Sequence, residues 1–319
     1  MKNRKTRFVQ WQPIQNLINF LKRLIIPGFD GVPLYYVGGF FYRGISQGYL
    51  TTRAAAIAFS FFLAIFPMIL VFFTLIPFIP IDNFQEILMA FITNIIPDSA
   101  EAIINTTLVD IIERPRGGLL SLTFFLALFF ATNGFSSIVD AFNTTYHTIE
   151  TRTWLKQRMI ALVMFLTNTI IVIIAIALLT SGTGFFEFLL QKHILNNWTT
   201  FYLLEGVKWI VLTAMFFFSI SFIYYLAPAK KNKFRFISAG SSLATFLSLI
   251  ASVGFNYYVQ NFSSYNALYG SIGTLLIILM WIYFNAIILL IGFELNASIQ
   301  EAKKDTDMYF SKDENFPLK

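Results

Sequence analysis

The chain contains no cysteine, so disulfides, thiolate metal ligands and cysteine nucleophiles are all excluded. It has two histidines, His147 and His193, in two different gaps between its apolar runs. It is also poor in charge. Asp, Glu, Lys and Arg make up 13% of 319 residues, about half of what an ordinary soluble domain carries. No His-x-His, HExxH, P-loop or GxSxG pattern occurs, and the motif-borne chemistry of metal hydrolases, NTPases and serine hydrolases goes with them. No leader with a short apolar core and a small-residue cleavage site is evident, and the first span is expected to act as the insertion signal.

What the chain has instead is apolar mass. Hydrophobic residues make up 56%, and 38 positions are Phe. A soluble core could not bury this much, and lipid is the expected solvent. Six long apolar runs, at about 54–80, 119–139, 159–181, 203–226, 236–258 and 270–293, each reach the roughly 20 residues needed to cross the bilayer core.

The positive charge falls in alternate gaps between these runs. Of the 23 Lys and Arg, all but Arg114, Arg116, Lys192 and Lys208 lie in residues 1–53, around Arg152–Arg158, in Lys230–Arg235 or in the tail from Lys303 onward. That asymmetry is the positive-inside pattern of a multi-pass protein with both termini in the cytoplasm. The net charge of +6 is then a property of one face. It fits topology and anionic headgroups at the cytoplasmic face better than nucleic acid.

The expected organisation is all-α. Residues 1–30 form a basic cytoplasmic arm, 31–300 a six-span membrane bundle, and 301–319 a polar, disordered cytoplasmic tail. Residues 32–50, rich in Tyr, Phe and Gly, read as an interfacial segment. Residues 83–113 show apolar side chains at helical spacing, interrupted at Pro97 and resumed behind Asp98 and Glu101 in the manner of a capping box. Residues 185–197 are also amphipathic. Both stretches fall outside, as a lid on the bundle or as helices lying in the outer leaflet.

Candidate site residues are those that sit awkwardly in lipid. Ionisable groups at membrane depth cost ~2.5–3.5 kcal/mol at mid-helix on insertion scales. Glu205 and Lys208, at i and i+3, share a face at the start of span 4, as a headgroup or coupling site or as a pair snorkelling to the interface. Asn285 adds an amide to the middle of span 6, beside Trp281 and Tyr283. Pro67 interrupts span 1 as a packing kink or a hinge. At the inner boundary, Arg53 opens span 1, Asp140 closes span 2 and Glu294 closes span 6, so Arg53 is expected to pair with Glu294 or Asp140. No catalytic residue, metal site or cofactor is expected.

Three blocks resemble the YihY/BrkB family of bacterial inner-membrane proteins, older members of which carried the label ribonuclease BN. They are RAAAIAFSFFLAIFPMIL (Arg53–Leu70), NGFSSIVDAFNTTYHTIETRTWLKQRMIAL (Asn133–Leu162) and YNALYGSIGTLLIILMWIYFNAIILLIGFELNA (Tyr265–Ala297). The third is the most specific, with its YG, W-x-Y and G-x-E-L-N pieces in order. The resemblance implies six spans and links to serum resistance and to moving lipid or lipopolysaccharide precursors. It carries no catalytic residues. The outer amphipathic helices and a bundle with almost no buried charge point to a transporter or flippase for a lipid or lipid-linked amphipath, with membrane lipids as partners. The alternatives are a scaffold for envelope integrity and, last, a ribonuclease.

Overall fold

The computed structural model describes residues 12–75, 117–144, 152–191, 198–229, 236–261 and 271–312. Among them are eight helices and no strand: α1 (Gln12–Arg23), α2 (Leu34–Gln47), α3 (Leu50–Leu75), α4 (Gly117–Asn143), α5 (Trp154–Gln191), α6 (Trp198–Leu226), α7 (Ala239–Asn261) and α8 (Ser271–Lys312). The last six are long and apolar enough to cross a membrane.

These six close into a ring. Each packs on the next in chain order, and α8 returns to pack on α3. Their outer faces stay apolar. Phe59, Phe125, Ile173, Ile210 and Val253 all point away from the protein. In the apolar stretch of α5 only 17% is buried inside the bundle. A surface of this kind needs hydrocarbon around it rather than water.

The core joins the start of α3 (Leu50, Ala54) to the ends of α4 (Phe135, Phe142) and α6 (Ile220, Tyr224). Phe142 of α4 stacks on Phe293 of α8 with ring centroids 4.0 Å apart. Tyr224 of α6 meets both rings edge-on and donates its hydroxyl to the Leu289 carbonyl at 2.6 Å. The hydroxyl thus keeps a partner where water is absent.

The same end is sewn together by caps. Arg152 donates to the carbonyls of Ala227 at 3.1 Å and of Pro228, serving acceptors that α6 leaves free at its C-terminus. Asn143 accepts from the Ala229 N–H at 2.7 Å. Ser238 caps α7, its hydroxyl accepting the Ser241 N–H at 3.1 Å while Ser241 Oγ accepts the Ser238 N–H at 3.1 Å.

α8 has 42 residues, about 63 Å at 1.5 Å per residue, twice the hydrocarbon thickness. Its excess length carries a second, smaller core. Ile299 and Ala302 pack with Phe29, Val32 and Val37 of the α1–α2 region. Past Glu301 the chain is therefore helical to Lys312 and not disordered. A Glu301–Lys304 pair at 2.8 Å supports the helix, and burial of Ala302 holds it in place.

Residues 32–50 form α2 for the most part, with Tyr35, Tyr36 and Tyr42 exposed. Span 1 begins at Leu50 and runs unbroken through Pro67. α5 continues past 181 into the stretch expected to be a separate amphipathic helix, as far as Gln191. Residues 192–197 and the whole of 83–113 lie outside the described residues, as do both histidines.

Candidate functional site

Arg53 is placed by the junction of α2 and α3. Gly48 ends α2, its N–H bonded to the Gly44 carbonyl at 3.0 Å, and Tyr49 takes φ +49° to turn the chain into α3. A side chain at Gly48 would press on the Gly44 carbonyl and lie 3.3 Å from Arg53 Nη1. Only glycine leaves the guanidinium this room. Arg53 Nη1 donates to the Gly48 carbonyl at 2.9 Å and to Glu294 Oε1 at 2.7 Å. Arg53 is 8% exposed and Glu294 is fully buried. Asp140, the other carboxylate expected near Arg53, accepts from Gln157 Nε2 at 2.7 Å instead.

Two cavities adjoin this region. A central one of about 260 Å³ is a partly open pocket walled by residues of α3, α4, α6, α7 and α8. Ile57, Phe61, Ile220 and Leu289 give it apolar walls, and Asn285, Trp281, Ser219 and Ser248 supply its polar groups. The second, about 460 Å³, is a groove between α3, α7 and α8 lined by residues such as Phe59, Met280 and Tyr283. It is almost entirely apolar. Asn285 donates to the Trp281 carbonyl at 2.8 Å, one turn back along α8.

Glu205 and Lys208 pair at 2.8 Å, and Trp209 Nε1 also donates to Glu205 at 3.0 Å. They open the apolar part of α6 and line neither cavity. Pro67 is buried within α3 and lines neither.

The structure thus brings together Arg53 and Glu294, and Glu205 and Lys208, and it puts Asn285 on the central cavity. Ser219, which bonds to Asn168 of α5, and Ser248 join Asn285 there. Ser248 stands in a run of small residues in span 5 that suits close packing or a polar groove, whereas the signal of Ser219 was faint, because a single serine in an apolar run is common packing material. Tyr224 was missed for the same reason.

The ring of six long apolar helices with an apolar outer surface defines a polytopic helical membrane protein. The chain matches the virulence factor BrkB family over residues 41–315 and belongs to it. It is 30% identical over 257 residues to the ribonuclease-like protein YfkH of Bacillus subtilis (strain 168), covering 80% of this chain and 92% of that one. It is 25% identical over 277 residues to a UPF0761 membrane protein of Haemophilus influenzae (strain 86-028NP), covering 85% and 97%. A UPF0761 membrane protein of Xanthomonas oryzae pv. oryzae (strain PXO99A) is 26% identical, covering 82% of this chain and 60% of that one. No solved structure matches the chain.

Proposed function

We propose that the protein moves a lipid or lipid-linked amphipath across a bacterial inner membrane, with both termini in the cytoplasm. The central cavity carries this reading. It is a partly open pocket to which five spans contribute, and its walls are apolar with an amide, an indole and two hydroxyls among them. Such a lining suits an acyl chain attached to a polar group better than a hydrated ion. Orientation follows from the charge asymmetry, which puts Arg53 and Glu294 at the cytoplasmic end and Glu205 and Lys208 at the outer end. In this scheme Asn285 contacts cargo inside the ring, Glu205 and Lys208 meet a headgroup at the outer surface, and Pro67 lets α3 flex. The carbonyl of Leu63, four residues back from Pro67, loses its helical donor.

The test is lipid movement in liposomes reconstituted with the purified full-length protein. Fluorescent phospholipids on the outer leaflet are bleached chemically, and the protected fraction is followed in time. The proposal expects faster exchange than in protein-free liposomes, and slower exchange with Asn285→Leu. Exchange no faster than without protein, across glycerophospholipids and lipid-linked sugars, overturns it and leaves the scaffold role.

A further inference from the structure

We propose that the Nε/Nη2 edge of Arg53 binds a phosphate group, either that of a membrane lipid or free inorganic phosphate, and that Glu294 is the internal anion holding the guanidinium when no phosphate is bound. This site rests on the proposed transport role only in making the phosphate part of a cargo.

A guanidinium offers five N–H donors in a planar fork. Carboxylates and phosphates engage it best through two parallel N–H groups. Glu294 does not do this. One of its oxygens meets Nη1, and the Gly48 carbonyl meets the same nitrogen. Arg53 Nε and Nη2 are buried with no hydrogen-bond partner among the described residues, and so is Glu294 Oε2. Buried donors are nearly always satisfied in native proteins. Leaving several on one side chain, in a region of low dielectric, is costly unless an acceptor arrives from elsewhere. This unpartnered edge is one of those with two parallel donors, the geometry that grips two oxygens of a phosphate, and because it is buried a phosphate reaches it only when the packing around Arg53 opens.

The position suits an amphipath. Ile57 and Phe61, at i+4 and i+8 from Arg53, share its face of α3 and line the central cavity. Leu289, five residues before Glu294 on α8, lines it as well. Neither Arg53 nor Glu294 lines the cavity itself; Ile57, which does, lies about 6 Å further along the helix axis from Arg53. Glu294 sits on the same guanidinium and competes for its charge, which makes release possible.

The experiment uses the full-length protein in detergent, with bound lipid counted by native mass spectrometry. The probes are phosphatidylglycerol, a galactolipid without phosphate, and inorganic phosphate alone. Wild type is expected to retain phosphatidylglycerol over galactolipid by about tenfold. Arg53→Lys keeps the charge but not the fork, and should bind about tenfold more weakly, the worth of one charge-assisted hydrogen bond. Glu294→Gln removes the competing charge and should bind more tightly. Displacement of phosphatidylglycerol by millimolar inorganic phosphate identifies the free ion as a ligand, and retention despite it identifies the lipid; both support the site. Equal retention of the two lipids, or no change in either variant, overturns it and assigns the open donors to water. Should Arg53→Lys fail to fold, Arg53→Gln/Glu294→Gln is compared with Glu294→Gln, since both lack the buried carboxylate and differ only at residue 53. Arg53-dependent retention without lipid movement in liposomes keeps the site and removes transport, and movement without such retention does the reverse.

Discussion

Gly240 of α7 and Gly292 of α8 meet backbone to backbone. A methyl group on Gly292 would lie 2.6 Å from the Gly240 carbonyl oxygen, 2.8 Å from the Ala244 Cβ, and against the Tyr224 hydroxyl. One on Gly240 would press on the Gly292 carbonyl and lie 2.6 Å from Asn296 Cγ. The close approach lets Asn296 Oδ1 accept the Gly240 N–H at 2.8 Å and holds α8 where Glu294, two residues past Gly292, reaches Arg53.

Gly292→Ala is therefore expected to lower stability by about 1–3 kcal/mol, the usual cost of overpacking, because the Gly240 carbonyl is backbone and the Ala244 Cβ is fixed to it, so neither can move aside alone. Gly254 lies in the same helix as Gly240, and a Cβ there would meet nothing within 4 Å. Gly254→Ala should raise stability by roughly 0.5–1 kcal/mol through helix propensity. Thermal unfolding of the full-length protein in detergent reads both. Shifts of the same sign would refute the packing argument.

The buried pair makes a second prediction. Arg53→Ala leaves Glu294 charged and uncompensated in the interior, and Glu294→Ala does the same to Arg53. Each should cost about 3–5 kcal/mol. Arg53→Met/Glu294→Leu removes both charges at similar volume and should cost far less than the two single changes together. A double-mutant cycle in chemical denaturant checks this, and additive effects would show that the two groups do not interact energetically.

Much of this architecture was legible in the sequence, for a physical reason. A span must satisfy every backbone group internally and show hydrocarbon-like side chains to lipid, so α3 to α8 announce themselves by length and composition. Arg53 and Glu294 could be matched because depth in a bilayer acts as a coordinate, and charge asymmetry sets each span's direction. What depth cannot give is rotation about the helix axis. Asp140 lies near the same level yet faces Gln157, and Ser219 looks like any serine until the ring closes around it. The helical extension of α8 past Glu301 was hidden for another reason. Its residues are polar and carry no strong pattern, and it is the contacts of Ile299 and Ala302 with the α1–α2 region that hold it.

Orientation can be checked chemically, because a chain with no native cysteine accepts a single reporter without interference. Lys304→Cys, in the exposed extension of α8, should react with a membrane-impermeant maleimide only after the cells are opened. Asn196→Cys, in a gap poor in basic residues, should react in intact cells. The opposite labelling would invert the bundle and move Arg53 to the outer surface.

Glu205 and Lys208 separate stability from transport. Their pair is closed within one helix, at 2.8 Å, with side chains 32% and 18% exposed. An ion pair so open to its surroundings contributes about 0–1 kcal/mol. Lys208→Gln should therefore leave the unfolding temperature in detergent nearly unchanged. It should still slow movement of an anionic phospholipid by several-fold, since Lys208 is the cation that the proposed outer contact offers a headgroup, and a neutral glycolipid should be unaffected. Glu205→Gln frees Lys208 from its internal partner and should speed the anionic lipid. The effects should shrink in high salt, which screens exposed charges. If both variants slow anionic and neutral lipids alike, the pair serves only to seat α6 at the interface, and headgroup selection must be sought deeper, at Asn285 and Arg53.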